Sequence, residues 1–545
     1  MKNWNANKTL TSENRDLARQ VLEEIRDGRD VTRSLRRYPL PGGGYLAKSV
    51  LVAAYNELVD EGEWTEDEAL FRRLRMKPVR TLSGVTTVTV LTKPWPCPGK
   101  CIFCPDDARM PKSYLPDEPG AARAFQNNFD PWLQVSSRLE SYKANGHPTD
   151  KVELLILGGC WTSYRRDYQE WFIQRCFDAM NGRDSSSLEE AHRWNENAEQ
   201  RNVGLVIETR PDEIKPKELQ WLRYLGVTKV QLGIQSLDDA ILELNKRGHT
   251  TGQALQACNL LRAAGFKVVL HWMPNLLGAT PDSDRNDFSR LWWGYCPDEL
   301  KIYPTQLLDD TELYQHWQQG DYHPYEMQTL IDLLADIKLT VPSYCRINRV
   351  IRDIPSHHVM AGNKRTSLRQ DVQAELRQRG ETCQCIRCRE VKGEPVDAET
   401  LTFRDLNYAA GTSEEHFLHF LTPEDKIAGY LRLSLPTASS PNVDIPEIAG
   451  AALIREVHVY GQSVPVGADQ AGAAQHSGLG TRLLQYAEEL TAARGFSKLS
   501  VIAAIGTREY YRSRGFALGE LYMDKAVTPP PSEMGEAGGG RAASS

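Results

Sequence analysis

From residue 87 onward, short apolar runs alternate with longer stretches of helical periodicity. The runs are TVTVLTK (87–93), VELLILGG (152–159), VGLVIETR (203–210), VTKVQLGIQS (227–236), FKVVLHWMP (266–274) and ELKIYPT (299–305). Each is rich in Val, Ile and Leu and nearly continuous, the pattern of strands covered on both faces. Six such β/α units predict an α/β architecture, a parallel sheet closed or partly closed into a (β/α)6 barrel over residues 81–340. An open doubly wound sheet is the alternative, although no dinucleotide fingerprint follows any run.

Residues 1–80 read as helical, and SENRDLARQVLEEIRDG starts at a candidate cap, Ser12, and stops at Gly28. Residues 341–399 break the β/α rhythm and read as a linker. Residues 400–526 form a second α/β module, with candidate strands KIAGYLRLSLP, AALIREVHVYG and KLSVIAAI and the helix GLGTRLLQYAEELTAARG. The tail, 527–545, is rich in Pro, Gly and Ser and is expected to be disordered.

Composition adds two constraints. The 545 residues carry 72 acidic and 65 basic side chains, a net charge of −7, which argues against a generic nucleic-acid coat. No stretch approaches about 20 consecutive apolar residues and the N-terminus lacks an apolar h-region, so neither a membrane span nor secretion is expected and the cytoplasm is the expected compartment. The 11 cysteines then speak for metal rather than disulfides, because six of them fall in two tight clusters.

The first cluster is PCPGKCIFCP, with Cys97, Cys101 and Cys104 in a Cys-x3-Cys-x2-Cys spacing after the first strand. Three thiolates on one loop can hold three irons of a [4Fe–4S] cluster and leave the fourth for another ligand. The pattern resembles the radical SAM superfamily, in which S-adenosylmethionine (SAM) takes that position; a zinc loop lacking one ligand is the bland reading. Other strand ends fit. Gly158 and Gly159 close the second strand, where this superfamily places small residues against the SAM amino group. Glu208 and Gln235, near the ends of the third and fourth strands, are candidates for its ribose or methionine part, or are plain barrel-mouth polar residues.

In the second module, Gln475, Gly478, Leu479, Gly480 and Thr481 lie in QHSGLGT at the start of a helix, which matches the (Arg/Gln)-x-x-Gly-x-(Gly/Ala) motif of GNAT-type acetyltransferases. Glycines let backbone approach a pyrophosphate, and a helix N-terminus offers free N–H groups to it. Tyr510 and Tyr511 of GTREYYRSRGF are candidates for an acid or positioning group at a thioester.

A radical SAM barrel joined to a coenzyme A module resembles the catalytic subunit of Elongator over nearly the whole chain. The segments that carry the resemblance include KPWPCPGKCIFCP, ARAFQNNFDPWLQ, DKVELLILGG, VIETRPD, HWMPNLLG, DELKIYPT, AGNKRTSLRQ, REVHVYG and QHSGLGTRLL. The resemblance implies carboxymethylation of the tRNA wobble uridine. A 5′-deoxyadenosyl radical abstracts hydrogen from the acetyl methyl of acetyl-CoA, the carbon radical adds to C5, and thioester hydrolysis follows. It also implies that Lys151, Glu456, Val457, His458, Val459, Leu479, Gly480, Thr481 and Tyr511 contact acetyl-CoA, so that the coenzyme bridges two domains. Lys301 and Tyr303 would face the radical chamber. An electron donor is required, and a homodimer or Elongator-type accessory subunits are the candidate protein partners. One departure is Cys160, which stands where the family's second strand ends Gly-Gly-Thr.

The second cluster, Cys383, Cys385 and Cys388, resembles a structural zinc site of the same family at the domain junction. The fourth ligand is open among Cys296, Cys345, His357, His358 and His416, and an auxiliary iron–sulfur cluster is the rival. For the tRNA anticodon loop, the cationic candidates are Arg72, Arg73, Arg75, Lys77 and Arg80, then Lys93 and Lys100, and the segment 346–379 with Lys364, Arg365 and Arg369, which holds eight basic and three acidic residues. A protein lysine acetyltransferase with a structural barrel, or a non-catalytic tRNA-binding scaffold, are the competing functions.

Overall fold

The structure is a computed structural model that describes residues 9–41, 43–392, 394, 396–460 and 478–528. Gln475 and the tail beyond Thr528 lie outside the described residues, as do the side chains of Val79 and Arg80.

All six apolar runs are strands: β1 (Thr86–Leu91), β2 (Lys151–Leu157), β3 (Arg201–Thr209), β4 (Lys229–Gln235), β5 (Lys267–Trp272) and β6 (Glu299–Ile302). They pair in parallel and in chain order. A doubly wound sheet reverses its order at a switch point, and this one does not, which excludes that alternative. A seventh strand, β7 (Arg346–Arg349), pairs in parallel with β6, and β1 and β7 are the two edges. The linker boundary after residue 340 is therefore corrected. The segment RINR continues the barrel sheet, and the helix Leu368–Gln378 packs on the helix Met327–Leu339. With two arginines and an asparagine in four residues, β7 has too few apolar positions to register as a strand by pattern.

All seven strands line one cavity of about 1060 Å³, so the sheet is curled into a partial barrel. Its two faces differ sharply. Val88, Val90, Leu154, Ile156, Leu205, Ile207, Val230, Leu232, Val268, Leu270 and Leu300 are buried on the helix-covered side. The positions between them point Glu153, Glu208, Lys229, Gln231, Lys267, His271, Glu299 and Lys301 into the lumen.

The second module is a seven-stranded sheet of β8 (Thr402–Ala410), β9 (Ser413–Leu421), β10 (Ile427–Pro436), β11 (Ala452–Val459), β12 (Lys498–Val501), β13 (Ala517–Leu518) and β14 (Met523–Ala526), in the order 8-9-10-11-12-14-13. Only the β11–β12 pair is parallel. The helix Leu479–Ala493 packs across β10 and β11.

The module docks on the N-terminal ends of the barrel strands. Buried Arg455 donates to both Asp298 oxygens at 2.7 Å and to the Phe266 carbonyl, while Arg432 reaches Asp298 at 3.4 Å and Glu456 at 2.9 Å. Lys267, at the start of β5, pairs with Glu456 at 3.1 Å. Burial alone would raise the Asp298 carboxyl, but Arg455 and Arg432 hold it down to about 2. Gly506 is a forced glycine here, since a Cβ would lie 2.8 Å from the Asn202 carbonyl at the start of β3.

Four helices, Ser12–Arg26, Val31–Arg37, Lys48–Asp60 and Glu68–Leu74, form a small N-terminal bundle on its own core of Val21, Leu22, Ile25, Leu51, Leu58, Leu70 and Leu74. The first cap is Thr11 rather than Ser12, because the Thr11 N–H donates to Asn14 Oδ1 at 2.8 Å across one turn. Among the described residues no helix is long and apolar enough to cross a membrane.

Candidate active site

The loop after β1 brings Cys97, Cys101 and Cys104 to the wall of one cavity of about 680 Å³, shared with Trp95, Gly99, Lys100 and Lys112. Arg247 Nη1 donates to Cys101 Sγ at 2.9 Å and the Gly99 N–H to Cys97 Sγ at 3.4 Å. The Cys104 thiol and Arg247 together hold the Cys101 thiol below its usual range, whereas burial pushes Cys97 up. Among the described residues, Arg210 Nη1, Arg247 Nε and Gln235 Oε1 are buried without a hydrogen-bond partner. Buried guanidinium and amide atoms rarely stay unsatisfied. Their convergence beside three cavity-lining thiols fits an anionic cluster and a ligand that carries a carboxylate. Arg210 Nη1 packs directly against Gly99, 2.5 Å from where a Cβ would stand.

Gly158 and Gly159 follow β2 with φ of 134° and 88°, and a Cβ on Gly158 would overlap the Thr92 hydroxyl. The pair lets the chain turn against the end of β1. Cys160 is buried and bonds the Thr162 and Thr209 hydroxyls at 3.3 Å. Gln235 ends β4 with φ of 67°, a left-handed conformation that holds its side chain in the lumen.

Below the thiols, the lumen carries a chain of polar side chains. The Tyr114 hydroxyl donates to Glu208 at 3.3 Å, His271 Nδ1 stands 3.8 Å from Glu208, and His271 Nε2 meets Gln231 Oε1 at 3.0 Å. Lys301 Nζ donates to the same Gln231 oxygen. Burial lowers the Lys301 ammonium to about 8 and raises both the Glu208 carboxyl and the Tyr303 hydroxyl, the last to about 12. The Tyr303 ring meets His271 edge-on at 5.4 Å. Lys301 and Tyr303 thus line the lumen, joined by Gln231 and His271.

At the opposite end, β11 and β12 pair only over Ala452–Ile454, after which β11 runs on to Val459 and β12 ends. The divergence opens a wedge along Arg455–Val459, where an extended ligand can bond backbone as a strand does. Gly478 caps the helix Leu479–Ala493 with φ of 70°. A Cβ on Gly480 would lie 2.5 Å from the Tyr510 hydroxyl and 3.9 Å from Val459, so helix N-terminus, wedge and Tyr510 meet at one point. Tyr511 is buried edge-on against Tyr510 at 5.2 Å, and burial raises its hydroxyl. Glu456 is different: its carboxylate is committed to Lys267 and Arg432, which leaves only its backbone for a ligand. Lys151, the first residue of β2, pairs with Arg201 of β3, the strand start on which Gly506 packs.

The two ends communicate. Cys104, Glu208, Gln235, Lys301 and Tyr303 line the same cavity as Glu456, Val457 and His458. Comparison with known proteins agrees with this architecture. Residues 97–289 match the radical SAM superfamily and residues 297–378 the radical SAM C-terminal domain. The tRNA uridine(34) acetyltransferase of Dehalococcoides mccartyi is 46% identical over 455 residues, 82% of this chain and 98% of that protein. Elongator complex protein 3 of Danio rerio is 34% identical over 94% of this chain and 96% of its own length. The archaeal Methanocaldococcus infernus Elp3 structure, with N-terminal residues 1–46 deleted, superposes with a TM-score of 0.72 at 36% identity, covering 82% of this chain and 100% of its own.

The chain belongs to the tRNA uridine(34) acetyltransferase and Elongator complex protein 3 family. Within that frame the second thiol group is a compact site. The Cys383, Cys385 and Cys388 sulfurs lie within 4.8 Å of one another at the junction of barrel and module. Among the described residues, the fully buried Lys338 Nζ has no hydrogen-bond partner and acts electrostatically on all three thiols. A buried cation beside three thiols fits a metal-bound thiolate set of net negative charge. Four candidate fourth ligands are engaged elsewhere. His357 and His358 pair with Asp117, His416 lies between Asp405 and Glu414, and the Cys296 thiol faces the Trp292 and Ala409 carbonyls. Cys345 is buried beside Cys385.

The cationic segments are more structural than their sequence implies. Arg73 donates to the Ile25 carbonyl at 2.6 Å, Arg75 to Gly146 at 2.6 Å, and Arg72 pairs with Glu68. Arg365 pairs with Asp371, and Arg369 bonds the Ile347 carbonyl. Arg346, Arg349, Arg352 and Arg369 nevertheless line the lumen. The site residues that pattern reading passed over are Arg210, Arg247, Gln231 and His271. Arg210 in VIETRPD, His271 in HWMPNLLG and Gln231 in VTKVQLGIQS stood in quoted segments without being singled out, and Arg247 stood in none.

Proposed function

We propose that this chain modifies the wobble uridine of tRNA at C5, installing a carboxymethyl group with SAM as radical source and acetyl-CoA as carbon donor. The observation that carries this reading is the lumen that joins the Cys104 loop to β11 of the acetyltransferase-like module. Cys97, Cys101 and Cys104 would hold a [4Fe–4S] cluster, which together with SAM would supply a reducing electron and a carbon-centred radical. Arg210 and Arg247 hold the ligand's carboxylate, Gln235 accepts from its polar hydrogens, and Gly158-Gly159 lets it approach the sheet. Lys151, the Arg455–Val459 backbone and the Leu479–Thr481 N-terminus hold acetyl-CoA, with Tyr510 and Tyr511 beside the thioester. Lys301, cationic below about pH 8, neutralises negative charge developing on a substrate oxygen. The lumen arginines attract RNA phosphates, and the uridine enters unstacked. Cys383, Cys385 and Cys388 would hold a zinc ion at the junction of barrel and module.

The test is anaerobic reconstitution with iron, sulfide, reductant, SAM, acetyl-CoA and tRNA, followed by nucleoside mass analysis. The reading expects 5-carboxymethyluridine. Unmodified nucleosides, with acetylation of an offered lysine peptide, would favour the lysine acetyltransferase reading instead.

A further inference from the structure

Asp117, His357 and His358 form a second candidate metal group, separate from both thiol clusters. Asp117 lies in the loop after the cluster cysteines, and the histidines lie after β7. His357 Nε2 is 2.9 Å from Asp117 Oδ2, and His358 Nε2 is 2.8 Å from the same oxygen and 2.9 Å from Oδ1. The two rings lie side by side with centroids 4.2 Å apart, and all three ligand atoms fall within 4.8 Å of one another. A single carboxylate can neutralise one imidazolium, yet two ring nitrogens address one oxygen.

We propose that this triad binds a divalent transition ion of the zinc type, with solvent completing its coordination. Two imidazoles and one carboxylate suit zinc, cobalt or nickel, whereas magnesium and calcium prefer oxygen donors alone. Metal–ligand bonds of about 2.0–2.1 Å place tetrahedral ligand atoms roughly 3.3 Å apart, so the present spacing opens by roughly half an ångström on binding. The side chains can yield this, being 42%, 68% and 31% exposed for Asp117, His357 and His358. The ion would tie two segments already stitched by Arg352, which donates to Ser113 Oγ at 2.8 Å and pairs with Glu118 at 2.9 Å. Between them stands Tyr114, whose hydroxyl reaches Glu208 in the lumen. Occupancy would therefore stiffen one wall of the chamber.

The experiment uses the full-length, iron–sulfur-loaded protein dialysed against zinc, with metal content measured per chain. Cobalt titration separates the sites, because thiolate-bound cobalt shows sulfur charge-transfer bands and a His-His-Asp site shows ligand-field bands alone. The His357→Ala/His358→Ala double variant and Asp117→Asn are each expected to bind one fewer zinc equivalent and to lose the ligand-field bands that lack charge transfer. Cys385→Ser is expected to keep those bands. Equal zinc content and identical cobalt spectra in the wild type and both triad variants would overturn the proposal and leave an ordinary ion pair.

Discussion

Two groups of three cysteines occupy this chain, and their surroundings divide them. Cys97, Cys101 and Cys104 stand on a loop at the C-terminal ends of the barrel strands, on the wall of a cavity and near Arg210 Nη1 and Arg247 Nε, which have no hydrogen-bond partner among the described residues. Cys383, Cys385 and Cys388 are drawn within 4.8 Å of one another over a buried lysine at the junction of two units. The residue type is the same and the spacing similar. What differs is the setting: the first set lines a cavity that leaves room for a further ligand, and the second packs over a buried lysine between two units.

Substitution separates the two most strongly at the first group. Cys101→Ala is expected to reduce SAM cleavage, read as 5′-deoxyadenosine release, to background while leaving zinc content and tRNA binding intact. Simultaneous loss of tRNA binding would mean that the loop is structural. Cys385→Ser should do the reverse. One zinc equivalent is lost, the unfolding midpoint in urea falls, and SAM cleavage per folded molecule is retained; unchanged stability would show that the second set pins nothing.

The junction itself is tested by Asp298→Asn, which leaves Arg455 and Arg432 buried without their shared carboxylate. Breaking a buried pair in this way costs about 3–5 kcal/mol, read by urea unfolding. The acid dependence follows with a definite sign. Asp298 is depressed from 3.8 to about 2, so its stabilisation is fully present above pH 3.8 and is lost as pH falls towards 2. The wild type should lose roughly 2–3 kcal/mol across that window and the Asn variant should not.

A smaller effect is expected at Lys301. Its ammonium is lowered to about 8, so turnover should fall above that pH if the cation is the working form, by about tenfold per unit. Lys301→Arg would move that limb beyond the accessible range. A limb unmoved by the substitution would assign it to another group.

Much of this was legible from sequence, for identifiable reasons. The barrel strands announced themselves because both faces are covered, yet their lumen positions, such as Lys229, Gln231, His271 and Glu299, hid inside runs that read as continuously apolar. Strands β8 and β9 went unseen because TFRDLNYAA and SEEHFLHFL lack a continuous apolar run: β8 is largely exposed, and β9 buries polar side chains, Glu415, His416 and His419. The thiol ligands were visible as spacing on a loop. Arg247 and Lys338 were not, because each acquires its role only when a distant segment folds beside it. The basic runs misled in the opposite direction: Arg73 and Arg75 are clips on backbone carbonyls rather than a free stripe.

The central claim is that the thiol loop and the acetyltransferase-like module act on one substrate across one lumen. It is tested most directly by supplying acetyl-CoA labelled with carbon-13 in both acetyl carbons to the reconstituted protein with SAM, reductant and tRNA. The account predicts a wobble nucleoside that carries both labelled carbons, absent in Cys101→Ala. A labelled nucleoside that still forms without Cys101, or label found only on protein lysine, would contradict it.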